Sequence, residues 1–76
     1  MKHFVYTVGA RGKSKYVRVY RIKRNKPELI DGEEVGYRDE TQAVVDILRK
    51  AKEIPADASH NFWRLRQLGI AEITEL

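Results

Sequence analysis

Lys15-Tyr-Val-Arg-Val-Tyr-Arg-Ile-Lys23 is rich in β-branched and aromatic residues, as an extended chain requires. Alternation sends Tyr16, Arg18, Tyr20 and Ile22 to one side and Val17, Val19, Arg21 and Lys23 to the other. Neither side is cleanly apolar. The reading we adopt turns Val17 and Val19 toward a core and leaves Tyr16, Arg18 and Tyr20 facing water or a ligand. Upstream, His3 to Val8 alternates in the same way, with Phe4, Tyr6 and Val8 on one side. Between the two runs, Gly9-Ala-Arg-Gly12-Lys-Ser14 is a flexible connection suited to a turn. A basic β-hairpin is therefore expected.

Downstream, Arg24-Asn25-Lys26-Pro27 reads as a second turn, and Glu28 to Tyr37 as a third strand, bulged or interrupted at Gly32. Asp39 opens a helix as its cap, with Gln42 placed to complete a capping box. Val44, Val45, Ile47, Leu48 and Ala51 carry the helical period, which Pro55 ends near Ile54. A second helix starts at Asp57 or Ser59, and Gly69 suits the position just past its end. Residues 70–76 fit either a fourth strand or a new helix. The expected fold class is α+β: one domain over residues 1–76, with a three-stranded antiparallel sheet (3–37), a main helix across it (39–54) and an extension (57–76).

Charge is distributed unevenly along this frame. Residues 1–27 hold nine Lys or Arg and no Asp or Glu, whereas the remainder holds eleven acidic residues and six basic ones. Such a split is a statement about partners, and a polyanion is the first to consider. Arg11, Lys13, Lys15, Tyr16, Arg18, Tyr20, Arg21, Lys23, Arg24 and Lys26 form the candidate nucleic-acid surface. In it Lys13, Lys15, Lys23 and Lys26 contact phosphates, Arg18 and Arg21 read base edges, and the tyrosines stack or pack on sugars. Duplex DNA leads over RNA, because a two-stranded ribbon fits the major groove. An acidic protein partner is the alternative, and charged residues that merely solubilise exposed strands are the bland reading. Trp63 reads first as core and second as a partner contact, with Arg64 and Arg66 flanking it and extending the basic surface.

Other chemistries lack a pattern. The glycines of Gly9-Ala-Arg-Gly12-Lys-Ser14 are too close for a phosphate-cradling loop, and a strand follows where a helix is needed. His3 and His60 are the only histidines, fall on different elements and have no Cys beside them, so no metal site is read. Ser14 and Ser59 have no activating neighbours, and Leu65 to Ile73 leaves no room for a recognition helix after Gly69. No enzyme activity, catalytic residue or cofactor is implied. Without cysteine, an apolar span or a leader-like segment after Met1, the chain reads as cytoplasmic, with no membrane partner.

Residues 15–22 as a central strand, with Gly36-Tyr-Arg38 leading into Asp39-Glu-Thr-Gln-Ala43, resemble the arm-type DNA-binding domains of phage and transposon tyrosine recombinases. The likeness covers residues 3–54 and lies in the layout. It implies a three-stranded sheet that enters the major groove, backed by a helix. Without a recombinase catalytic domain, it implies DNA binding alone, as in a phage or mobile-element accessory factor. The segment 29–34 is longer and more acidic than that layout needs, and 62–76 has no counterpart in it.

Overall fold

A computed structural model describes residues 1–36 and 39–76, with Arg11 described by its backbone alone. The order of elements is β1 (Lys2–Arg11), β2 (Ser14–Lys23), β3 (Lys26–Glu34), α1 (Glu40–Lys50), α2 (Phe62–Gln67) and β4 (Ala71–Glu75). The four strands make one sheet in the order β3-β2-β1-β4. β1 pairs antiparallel with β2, β2 antiparallel with β3, and β4 parallel with β1. The fold is α+β, as the sequence implied. Within residues 70–76, Ala71–Glu75 form a strand, whose parallel partner is reached only after both helices have crossed the sheet.

Both helices lie on one side of the sheet. Phe4 and Tyr6 of β1, Val17 and Val19 of β2, Val44, Val45, Ile47 and Leu48 of α1 and Leu65 of α2 are buried together. The register sets Tyr6 opposite Val19 and Val8 opposite Val17, so the alternation of two strands supplies one apolar surface. Filling such a surface contributes about 1.5–3 kcal/mol for each large side chain fully removed from water. An edge-on contact between Tyr6 and Phe62, with ring centroids 5.8 Å apart, fastens α2 to β1.

The caps show why the helices begin and end where they do. Asp39 is the N-cap of α1, its Oδ1 accepting from the Thr41 N–H at 2.9 Å. Asn61 caps α2 in the same manner, accepting from the Arg64 N–H at 3.2 Å. Both helices close with paired bonds past the last turn. Lys52 N–H donates to Arg49 O and Glu53 N–H to Leu48 O, while Gly69 and Ile70 donate to Arg66 O and Leu65 O. The residue taking the left-handed conformation is Gly69 in α2, as expected, but Lys52 in α1, with φ of 59°. This moves the end of α1 to Lys50, earlier than the stop read from Pro55. The start of α2 likewise falls at Phe62, after both Asp57 and Ser59.

β3 is a bulged third strand, as the sequence implied, with its bounds and its bulge displaced. It runs unbroken from Lys26 to Glu34, and its one register shift lies opposite Val19 and Tyr20, where Ile30 is the extra residue, two positions before Gly32. Pro27 sits inside this strand opposite Ile22, which an edge strand tolerates because its free side needs no N–H donor. Tyr37 and Arg38, assigned from the sequence to the third strand and the entry to α1, lie outside the described residues.

Candidate functional site

With both helices on one side, the other face of the sheet is uncovered among the described residues. Its side chains follow from the register: His3, Val5 and Thr7 on β1; Tyr16, Arg18, Tyr20 and Ile22 on β2; Leu29 and Glu34 on β3; Glu72 and Thr74 on β4. The central row belongs to β2. Arg18 lies over the Tyr16 ring with its guanidinium carbon 5.1 Å from the ring centre, an attraction between cation and π-face. Beside them on β3 is Gly32. A Cβ added there would stand 2.9 Å from Tyr16 Cε1 and 3.1 Å from Arg18 Cγ. Gly32 is therefore the floor across which both side chains lie. A lone glycine inside a strand signals a bulge or the close approach of another group, and here it is the close approach.

The basic and aromatic candidates whose side chains are described do not form one surface. Tyr16, Arg18 and Tyr20 share the uncovered face. Lys15 and Arg21 turn to the helical side, in register with Val17 and Val19. Lys15 Nζ donates to Glu40 Oε1 at 2.9 Å, and this partner raises the Lys15 pKa above its ordinary value. Arg21 pairs with the buried carboxylate of Glu53, and its second nitrogen lies 3.7 Å from Glu28 Oε1. Lys2 joins the same cluster, donating to the Glu53 carbonyl at 3.0 Å. The pairing of Arg21 with Arg18 as joint readers of bases is thus corrected: the two point to opposite faces. The alternation had already separated them, and charge alone had brought them together.

Acidic residues far along the chain neutralise part of the basic third in space, because β3 lies directly against β2 and α1 ends over it. Among the described residues, Lys13, Lys23, Arg24 and Lys26 form no ion pair. Lys13 stands in the turn between β1 and β2, where Arg11 precedes it in the chain. The other three crowd the turn between β2 and β3, bordering an open notch of ≈ 580 Å³ together with Pro27 and Glu28. Ser14 to Lys23 spans about 30 Å at strand rise, so the two turns mark opposite ends of the sheet.

The turn between β2 and β3 is conformationally costly. Arg24 and Asn25 both have positive φ, 54° and 63°, as a two-residue hairpin of type I′ demands. Asn accepts that region readily, whereas an Arg in it costs about 1–2 kcal/mol. Lys23 and Lys26 are also directly opposite one another across the ladder, a like-charge arrangement that destabilises the pairing. Three cations occupy four consecutive residues at a tip that local rules would have filled with Asn-Gly.

Trp63 is exposed, 65 % of its surface reaching solvent, which corrects its assignment to the core. Leu65 and Phe62 of the same short helix face inward in its place. Trp63, Phe62 and Arg66 border a small groove of ≈ 170 Å³ with Glu72, Ile73 and Thr74 of β4. Arg64 and Arg66 are exposed on α2, over the edge of the sheet opposite β3, and do not extend the cationic turn. His3 lies 3.5 Å from Glu72, and His60 Nε2 is 2.8 Å from Asp46 Oδ1, so the two histidines serve separate local contacts. Among the described residues, no group of three or more His, Cys, Asp or Glu is arranged to hold a metal ion, and no helix is long and apolar enough to cross a membrane. No family model matches the chain, and neither a curated protein nor a solved structure is significantly similar to it.

Proposed function

We propose that the protein is a non-catalytic nucleic-acid-binding module. The observation that carries this reading is the turn between β2 and β3. Lys23, Arg24 and Lys26 are concentrated there without an ion-pair partner among the described residues, on a backbone that Arg24 makes less stable than Asn or Gly would. Strain that folding does not require suggests a role in binding, and three clustered cations at an exposed tip suit phosphate groups. Tyr16, Arg18 and Tyr20 lead away from this tip along one strand, offering stacking surfaces and one guanidinium for bases. Lys13, at the far end of β2, adds a further phosphate contact. The layout of β1 to α1 that resembles arm-type domains supports the same reading, and fits an accessory factor of a phage or mobile element.

Binding of labelled DNA and RNA across a salt series tests it. Log K falls linearly with log salt, by about 0.7–0.9 per phosphate contacted. Absence of any complex near 50 mM salt, where such contacts are strongest, would end the proposal.

A second reading has its own observation, the exposed Trp63 beside the groove at the β4 edge. Here the protein docks on an acidic protein, with Trp63 as an anchor. Recovery of one defined partner after nuclease treatment, lost on Trp63→Ala, favours this reading.

A further inference from the structure

We infer that the uncovered face binds a single strand, with bases stacked on Tyr16 and Tyr20 and the backbone led around the end of the sheet to the cations at 23–26, where Lys23 and Lys26 stand on the side of Arg21; this rests on the nucleic-acid reading above.

The first argument is width. Four strands place their outer members about 14 Å apart, while a B-form major groove is only about 12 Å wide. β4 flanks β1 from Lys2 to Tyr6, so the half of the face that holds Tyr20 and Ile22 is four strands across. That half cannot enter a groove face-on.

Charge gives the second argument. Glu34 stands on one long edge of the face and Glu72 on the other. The two phosphate backbones that border a groove would come against these carboxylates. One strand laid along β2 runs between them and meets Arg18.

The composition of the face is the third. Val5, Tyr16, Tyr20, Ile22 and Leu29 give it an apolar and aromatic middle between polar edges, with Arg18 and Thr7 the central groups able to bond base edges. Groove readers need rows of donors and acceptors, whereas unstacked bases need flat apolar surfaces. Tyr16 and Tyr20 are four residues apart, about 13 Å, with Arg18 between them. Gly9 stands directly opposite Tyr16, so no β1 side chain rises beside the ring in that row.

The test is fluorescence anisotropy with a labelled oligothymidylate and oligouridylate of about 12 nucleotides, and with a duplex of equal length. The single strands bind at least about tenfold tighter than the duplex. Tyr16→Ala and Tyr20→Ala each weaken single-strand binding about 5- to 100-fold, the range of a lost base stack. Tyr16→Phe and Tyr20→Phe keep the rings and bind as the unaltered protein does, which separates stacking from unfolding. If the duplex binds as well or better and both Ala variants bind normally, the single-strand inference falls while nucleic-acid binding stands. If neither form binds, the reading beneath it falls as well.

Discussion

The two turns that bound β2 solve the same geometric problem with different residues. Between β1 and β2 the chain must adopt positive φ at one position, and Gly12 does so at 63° with open space around it. Between β2 and β3 it must do so twice, and Arg24 and Asn25 occupy those positions. The first turn follows the folding rules. The second departs from them at a site where three cations meet that form no ion pair among the described residues, and local rules are broken most often where a protein does something besides fold. On the proposed reading, the contrast singles out three of the nine N-terminal cations, which look equivalent in the sequence.

The comparison breaks most sharply if the two cation sites prove interchangeable. Replacing Lys23, Arg24 and Lys26 by Ala is expected to lower affinity about 100-fold at low salt and to flatten the log K against log salt slope by about 2–3. Lys13→Ala at the first turn should change the slope by about 1 or less. Equal losses from single substitutions at both ends, measured in the same salt series, would mean that the strained turn has no special part.

Gly32→Ala is expected to act next most strongly. Its methyl group collides with Tyr16 and Arg18 and with the Val17 carbonyl, 3.1 Å from the new Cβ. A stability loss of about 1–3 kcal/mol and a roughly tenfold loss of affinity should appear together in melting and binding curves. Gly12→Ala meets nothing in space but keeps the positive φ, so it should cost about 1–2 kcal/mol with binding unchanged.

The smallest effect belongs to the helical side. Burial, and then the nearby Glu75 carboxylate, raise the Tyr6 pKa above its ordinary 10.0. The folded state holds this proton more tightly than the unfolded chain does. The resulting stability is complete below pH 10.0 and is lost as the pH rises from there through the folded value. Melting temperature should therefore decline above that pH less steeply in Tyr6→Phe, while binding at neutral pH stays as it was.

How much of this was legible in advance follows the range of the forces involved. The alternation of β1 and β2, the Asp39 cap and the Gly69 terminus are local patterns, and each stands where its residues imply. Lys52 ends α1 in a conformation for which sequence favours Gly or Asn, so the end was misplaced. β4 depends on a parallel partner at the other end of the chain, which no local period specifies. The same holds for the acidic residues: Glu28, Glu40 and Glu53 neutralise Arg21, Lys15 and Lys2 only once β3 and α1 are folded against them. Trp63 was misplaced because size and apolarity favour burial, whereas a six-residue helix with Phe62 and Leu65 turned inward has no buried position left for it.

The most direct measurement is made on Arg24→Gly, by thermal unfolding and nucleic-acid titration of the same preparation. The account predicts opposite signs: the melting temperature rises by about 4–8 °C as about 1 kcal/mol of strain is relieved, while affinity falls several-fold. A variant that melts no higher, or that binds as tightly as the original, would contradict it.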